Sequence, residues 1–381
     1  MLIAKAVTSS IISSRSRYSD ELDKDQPQVE ITDETQLQLF VSVLKSLEIA
    51  NRPMDSAKSK ISSLVLPSYA SGYPISVLIP LIRDHLPNIV SFSVPKIKND
   101  SQLNLQQEFS QLFFKLRHIT VCFDDDPEEQ DVAKALIISC SEGAGLISFR
   151  EVHYTNEITS VKTLSVLDTL VKYHHATLEK VELLNCLAIG PQEIQSVLAT
   201  CRKLWRFLVT LCTGYTRAIV STQLGNAMSD LWVCLDLKEL VLDLSVGDAD
   251  DSNGSETEPS TSTKNNIYLQ IGRLVKLELL YLVSDTEGLS EEELQVIGKY
   301  LTLKHGWLVE LKGLKELRHL VLGSVFWKQM GQAEVEFIHS NWPRLMEISL
   351  LRCLDQENPD QKPHWQWLRG QRLNLTIAVD L

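Results

Sequence analysis

The residues that could do chemistry in this sequence are nine histidines, seven cysteines and one dense acidic run. The acidic run, residues 124–129, offers the oxygen ligands that divalent cations prefer, but it lacks the spaced carboxylates of a calcium-binding loop. It is better interpreted as a solvated loop leading into a helix at Asp131, since acidic residues are favoured near a helix N-terminus. The pair His174 and His175 is expected at a helix end, where an imidazolium suits the helix dipole. We predict no metal site and no cofactor.

Three other histidines share a position in the sequence pattern. His118, His153 and His319 each fall between, or just before, the paired apolar residues of a short strand-like phrase. They would therefore point to one face of a sheet. No Ser or Cys stands in a nucleophile motif such as GxSxG, and no HExxH motif is present. We predict that the chain is not an enzyme and has no catalytic residues.

Composition restricts the class of partner and the compartment. Lys and Arg number 37 against 49 Asp and Glu, giving a net charge of −12, and no basic block is present, which argues against a nucleic-acid partner. The cysteines are scattered without a CxxC pair, which indicates reduced, buried thiols and an intracellular protein, cytoplasmic or nuclear. No apolar run reaches the roughly 18 residues that cross a bilayer, so no membrane association is expected.

One apolar phrase recurs along the chain and determines which elements would position these residues. The phrase begins with an apolar residue, two variable residues and a second apolar residue. Two more variable residues follow, and then a triplet that is apolar, variable and apolar. Clear copies are Leu274-Leu277-Leu280-Leu282, Leu314-Leu317-Leu320-Leu322, Trp342-Leu345-Ile348-Leu350 and Cys234-Leu237-Leu240-Leu242. Others fit with aromatic or β-branched residues, among them Leu146-Phe149-Val152-Tyr154. The last apolar residues of ten such phrases are separated by 28, 27, 33, 29, 26, 33, 40, 40 and 28 residues. This near-constant step predicts a repeat architecture.

Helix-like segments lie between the phrases. Apolar residues at i, i+3, i+4 and i+7 predict helices over residues 76–85, 131–138, 161–173, 191–199 and 332–339, and a capping box at Ser290 predicts another. A unit of one strand and one helix cannot bury its own apolar face, so successive units must stack into a curved parallel sheet with helices outside. A doubly wound α/β fold and a helical HEAT-like array remain alternatives, although neither explains a repeated Leu-x-Leu phrase.

The repeat suggests the following organisation. Residues 1–30 are expected to be a disordered or truncated N-terminus, with a mitochondrial presequence as the alternative, and residues 31–60 a helical cap on the first open repeat. Residues 61–381 would form the repeat array. Within it, residues 247–266 contain no large apolar side chain and are expected to be a disordered insertion, with either a regulatory role or none.

Two phrases resemble the leucine-rich repeats of the ribonuclease-inhibitor-like type. These are Leu178-Val181-Leu183-Cys186 and Leu345-Ile348-Leu350-Cys353, which match the consensus LxxLxLxx(N/C). The resemblance implies an α/β leucine-rich-repeat solenoid, or horseshoe, with its parallel sheet on the concave side. The segments WVCLDLKELVLDL, LKGLKELRHLVLG and NWPRLMEISLLRC further resemble fungal F-box-like leucine-rich-repeat proteins. That likeness implies a substrate-recognition adaptor of a cullin ubiquitin ligase, although residues 1–60 contain no F-box through which the Skp adaptor would bind.

The strand phase maps a binding face for a protein partner. Residues that alternate with the core should lie on the concave face. In the eighth and ninth units these are the apolar residues Leu279, Tyr281 and Val321, and exposed apolar clusters often mark interaction sites. We expect the ligand to be anchored near Tyr281 and Arg206. The candidate partner-binding residues are His118, Thr120, His153, Lys180, Glu182, Arg206, Glu239, Tyr281 and His319. An inhibitor that blocks its partner is the alternative function.

Overall fold

The computed structural model describes two compact units, Met1–Leu178 and Glu179–Leu381. The residues it describes are 28–31, 34–49, 61–66, 75–94, 109, 115–123, 127–153, 166–184, 189, 191–210, 230–243, 261–283, 301–304, 307–351, 362–372 and 374–380.

Within its described residues, the first unit contains five parallel strands, and strands that are consecutive in the chain are hydrogen-bonded to each other. They are β1 (Gln28–Glu30), β2 (Ser63–Val65), β3 (Ser91–Val94), β4 (His118–Phe123) and β5 (Ser148–His153). The helices that it describes between or after them are α1 (Glu34–Ile49), α2 (Ile75–His85), α3 (Pro127–Cys140) and α4 (Leu167–His174).

Within its described residues, the second unit has the same type of arrangement, with seven parallel strands in chain order. They are β6 (Lys180–Leu184), β7 (Arg206–Thr210), β8 (Glu239–Asp243), β9 (Leu279–Val283), β10 (His319–Leu322), β11 (Glu347–Leu351) and β12 (Thr376–Asp380). Its described helices are α5 (Pro191–Thr200), α6 (Thr261–Gly272), α7 (Trp307–Glu310), α8 (Ser324–Gln329), α9 (Gln332–Asn341) and α10 (Pro363–Gln371), with a 3₁₀ turn at Leu311–Gly313.

The recurring apolar phrase forms the core of both units. At β9, for example, Leu277 in the preceding turn and Leu280 and Leu282 in the strand are fully buried, and each buried Leu side chain contributes about 1.5–3 kcal/mol of hydrophobic stabilisation. The register between successive repeats is kept at the start of β3, β4, β5 and β7 to β11, where two successive N–H groups donate to one carbonyl of the previous repeat. The N–H groups of Arg318 and His319, for instance, lie 2.8 and 2.9 Å from the Glu278 carbonyl oxygen. Stacking therefore satisfies both the apolar and the polar requirements of every repeat.

These features confirm the predicted fold class, an α/β leucine-rich-repeat solenoid with a parallel sheet. A doubly wound sheet would reverse its strand order at a switch point, whereas here the strand order is the chain order. A HEAT-like array would have a second helix where each short strand lies. The predicted helices at 76–85, 131–138, 191–199 and 332–339 are present, with ends that differ by a few residues.

The structure departs from the predicted boundaries at two places. Strand β1 lies inside the segment expected to be disordered, because Val29 and Ile31 are buried and extend the core by one strand. Helix α6 begins at Thr261, inside the predicted insertion, because its later residues Ile267, Tyr268 and Ile271 need a helix that brings them into the core. Helix α1 lies in the segment expected to cap the array. The helix at Ser290, residues 247–260, Cys186 and Cys353 lie outside the described residues.

Candidate protein-binding face

The open face of the second unit is the sheet surface made by side chains that alternate with the core residues. Strand pairing aligns these side chains in two rows across β6 to β11. The first row is Lys180, Arg206, Glu239, Leu279, His319 and Glu347. The second row is Glu182, Leu208, Val241, Tyr281, Val321 and Ser349. The sequence-derived map of this unit is reproduced by the observed register.

Four of the predicted residues come together as an ion-pair cluster on β6, β7 and β8. The Arg206 Nε lies 3.0 Å from Glu182 Oε1, and its Nη1 lies 3.1 Å from Glu239 Oε2. The Lys180 Nζ lies 3.2 Å from the same Glu182 oxygen. Only 7% of the Glu182 side chain is exposed, so two cations compensate a carboxylate that has largely lost its water. The predicted anchor Arg206 is therefore already engaged by two carboxylates, and a partner would have to compete for it.

An apolar stripe lies along the second row, beside this cluster. It consists of Leu208, Val241, Tyr281 and Val321, which are direct partners on β7, β8, β9 and β10. Three of them are half-buried, whereas Val241 is 8% exposed. Side chains of neighbouring parallel strands on one face lie close enough to contact, so the stripe is continuous. Sequence reasoning placed these positions correctly, but selected only Tyr281 as a candidate.

Beyond the stripe the face becomes polar again. His319 Nδ1 lies 3.2 Å from Glu347 Oε2, and their side chains are 40% and 42% exposed. The Ser349 hydroxyl lies 3.5 Å from the other Glu347 oxygen. Leu279 precedes His319 in the first row and adds an apolar side chain beside Tyr281. The stripe thus lies between an ion-pair cluster on one side and a histidine-carboxylate pair on the other.

The first unit contains three of the predicted partner-binding residues, His118, Thr120 and His153. His118 and Thr120 are half-buried on β4, and the register pairs them with Ser148 and Arg150 of β5. Neither Ser148 nor Arg150 was selected from the sequence. They could have been found from their spacing to Leu146 and Phe149, which equals the spacing of His118 and Thr120 to Leu116 and Ile119 in the preceding repeat.

The prediction for His153 is wrong in its strand position. The pattern search took Val152 and Tyr154 as core residues, whereas the register aligns Glu151 with Val121 and His153 with Phe123. Glu151 therefore occupies a core position and is 7% exposed. The turn before β5 fixes this phase, because Leu146 and Phe149 are both buried and the N–H groups of residues 147 and 148 donate to the Arg117 carbonyl oxygen. The pattern search considered apolar residues only, so the charged Glu151 in a core position led it to assign the wrong face to His153.

The histidine pair at the end of α4 has a structural role. His174 is buried; its Nδ1 accepts from the Leu146 N–H at 3.2 Å, and its Nε2 lies 2.7 Å from the Ile137 carbonyl oxygen. This arrangement requires a neutral ring, with the proton on Nε2. Burial lowers the pKa of His174, and the bond to Ile137 opposes that shift only in part. The expectation of an imidazolium at this helix end is wrong for His174.

The buried thiols are poor nucleophiles. Burial raises the pKa of Cys140 and of Cys234 to about 12, and that of Cys201 to about 11 despite a hydrogen bond with Thr200 that lowers it. A thiol with so high a pKa is almost never ionised at neutral pH. Among the residues that the structure describes, no group of three or more His, Cys, Asp or Glu could hold a metal ion. Within the same residues, no helix combines the length and apolar character needed to cross a membrane.

Comparison with known proteins gives structural neighbours but no family. No family model matches the sequence, and no curated protein matches it. The yeast complex of Rad7 and Elc1 aligns over 84% of this chain and 74% of that chain, with 15% identity and a TM-score of 0.39. The leucine-rich-repeat protein LegL7 from Legionella pneumophila aligns over 84% of both chains, with 15% identity and a TM-score of 0.35. An O-GlcNAc hydrolase mutant from Thermobaculum terrenum has a TM-score of only 0.19. The leucine-rich-repeat assignment accordingly rests on the strand order and register of the chain itself.

Proposed function

We propose that this chain is a non-catalytic scaffold that binds another protein through the open face of its second unit. The apolar stripe of Leu208, Val241, Tyr281 and Val321 is the observation that carries the proposal. A stripe of apolar side chains on a sheet face, bordered by charged pairs, has the composition of a protein interface with an apolar centre and a polar rim. Tyr281 has the anchor chemistry favoured in such centres, a large rigid ring with one polar tip.

The charge pairs beside the stripe would supply specificity rather than affinity. The Arg206 cluster is internally neutralised, so it offers a partner little net charge but a defined pattern of donors and acceptors. Rim charges of this kind select among partners and set association rates more than they add binding energy. His118 and Thr120 belong to the first unit, and their part in binding stays a prediction, whereas the register of β5 removes the reason for choosing His153.

The finer function we propose is substrate recognition for a cullin ubiquitin ligase, in the manner of an F-box-type adaptor. Its support is the resemblance of the repeat phrases to F-box-like leucine-rich-repeat proteins. Co-expression of the full-length protein with the Skp adaptor provides the test. Co-purification of the two proteins is the expected result. Its failure with an intact N-terminus would reject the adaptor function and leave the inhibitor function, which needs no docking element.

Substitutions in the stripe test the binding proposal directly. Val321→Asp places a charge at the β10 end of the stripe, beside Tyr281, and Leu269→Asp is a matched control on α6, where the Leu269 side chain is 43% exposed. We expect wild-type protein and the Leu269→Asp variant to capture the same proteins. The Val321→Asp variant should capture none of them. Tyr281→Ala should weaken the same complexes by about tenfold or more, as truncation of an interface anchor does. Equal capture by all three variants would overturn the proposal.

A further inference from the structure

The turns that precede the strands of the second unit form a surface separate from the open face. We define the basic edge as residues 202–205, 235–238, 275–278, 315–318 and 343–346, which lead into β7, β8, β9, β10 and β11. These turns carry seven basic residues and three acidic ones, although acidic residues outnumber basic ones in the chain as a whole. The excess of positive charge at this edge is therefore local and opposite to the net charge of −12.

The three acidic residues of the basic edge are already paired with cations of neighbouring turns. Lys276 pairs with Asp236, and Arg344 pairs with Glu316. The third, Glu278, lies between Lys238 at 3.2 Å and Arg318 at 3.7 Å.

Three further cations lie outside these pairs. Arg202 and Lys203 are exposed, and no ion pair is found for them within the part of the chain that the structure describes. Lys315 is also exposed, and its Nζ reaches only the backbone oxygen of Asn341, at 2.9 Å, and the side-chain amide oxygen of that residue, at 3.5 Å. The excess charge therefore faces solvent, where a partner can approach it.

Exposed apolar side chains lie among these charges. Leu235 and Val275 are 45% and 52% exposed and occupy equivalent positions in adjacent turns. Leu235 and Val275 each precede one member of the Lys276–Asp236 ion pair, which joins the two turns, and we define the two side chains together as the apolar spot. Met346, 44% exposed, adds a second spot further along the edge. Single exposed apolar residues are ordinary, but an apolar pair flanked by unpaired cations has the pattern of an interaction site.

From this pattern we propose that the basic edge binds an acidic segment of a partner protein whose apolar side chains cover Leu235 and Val275. This goes beyond the proposed function, which concerns the open face. A nucleic acid fits less well, because bases would need exposed aromatic side chains to stack on, and Trp205 in these turns is half-buried. The acidic character of the whole chain also repels a long polyanion. A short acidic segment with apolar side chains satisfies the charges and the apolar spot together.

A peptide of repeated Leu-Glu-Glu triplets, labelled with fluorescein, is the probe for this surface. Its binding to the full-length protein is measured by fluorescence anisotropy. The double variant Arg202→Glu, Lys203→Glu should bind it about tenfold more weakly, since two rim attractions become repulsions. The matched control is Lys172→Glu, Lys304→Glu, which changes two exposed cations elsewhere by the same total charge and should bind normally. Peptides of Leu-Gln-Gln or Ala-Glu-Glu triplets should both bind more weakly than the probe.

Several outcomes would overturn the proposal. Equal weakening in the two charge-reversal variants would show that only total charge matters. Stronger binding of oligothymidylate than of the peptide would make the edge a nucleic-acid surface. Tighter peptide binding after Asp248→Asn, Asp250→Asn and Asp251→Asn would show that the chain's own acidic segment occupies the edge. Val321→Asp should leave peptide binding unchanged, so failure of the open-face proposal and failure of this one are distinguishable.

Discussion

The contact between α6 and the 3₁₀ turn that precedes β10 gives the sharpest test of the packing. Gly272 is the last residue of α6, and a Cβ atom placed on it would lie 2.1 Å from the Glu310 carbonyl oxygen. Gly313 faces it, and its own Cβ would lie 2.8 Å from the Gly272 carbonyl oxygen. Both obstacles are backbone atoms, which cannot rotate away. Gly272→Ala therefore forces α6 and the turn apart by more than 1 Å, since ordinary contact begins at about 3.4 Å.

The expected cost follows from two opposing effects. Overpacking of this kind costs about 1–3 kcal/mol, and the gain in helix propensity from Gly to Ala returns about 0.5–1 kcal/mol. We expect Gly272→Ala to lower the free energy of unfolding by up to about 2.5 kcal/mol. Gly370→Ala is the matched control, because Gly370 lies within α10 and a Cβ there meets nothing within 4 Å. That variant should gain about 0.5–1 kcal/mol, so the two identical substitutions have opposite signs.

Urea unfolding followed by far-UV circular dichroism and tryptophan fluorescence measures both variants. Trp307 is a local reporter, because its ring lies 5.3 Å from that of Tyr268 on α6. Gly272→Ala should change the fluorescence transition at least as much as the dichroism transition. Equal stability changes in the two glycine variants would refute the close approach of the two backbones.

Two further substitutions test buried polar groups. Burial lowers the pKa of His174, so below about pH 6.5 the unfolded chain takes up a proton at this residue and the folded chain does not. The free energy of unfolding should therefore fall by up to about 1.4 kcal/mol for each pH unit below that point. Urea unfolding at pH 7.5 and 5.5 should show this fall in wild type and in His175→Gln but a smaller fall in His174→Gln, and equal falls would contradict the neutral ring. Arg206→Met should cost about 1–3 kcal/mol by leaving the buried Glu182 carboxylate with one cation fewer, and adding Glu182→Gln should recover most of that loss. A double-mutant cycle by urea unfolding measures this coupling, and additive effects would argue against the cluster.

The sequence was sufficient for the fold because the core repeats. Leu280, Leu320 and Ile348 hold equivalent positions, so one period read from apolar letters predicted strand order and register together. The apolar pattern failed where a core position is not apolar. In β5, Glu151 occupies a core position, so the pattern predicted the wrong residues of that strand to face the core. It also missed β1, because the two phrase positions before Val29 and Ile31 are the polar residues Asp23 and Gln26, so only the end of the apolar phrase is present.

The chemistry of the candidate surfaces was less accessible from the sequence, because it depends on pairs between repeats. Glu278 contacts Lys238 and Arg318, each 40 residues away in the chain, and no local pattern marks such a pair. The same limit applies to Arg206, which was expected to be an anchor for a ligand but is held by Glu182 and Glu239. Register predicts which side chains are neighbours, whereas their pairing depends on the charges that the neighbouring repeats happen to carry.

The two proposed surfaces tolerate variation in repeat length for one physical reason. The pair Lys276 and Asp236 spans 40 residues, whereas Arg344 and Glu316 span 28, yet both occupy the same place in their turns. Extra residues enter after each strand, while the turn before the strand keeps its length and its two hydrogen bonds to the previous repeat. Insertions can therefore accumulate at one edge of the sheet without disturbing the open face or the basic edge. Binding at these two surfaces should accordingly depend on the side chains of the strands and turns, and little on the length of the inserted segments.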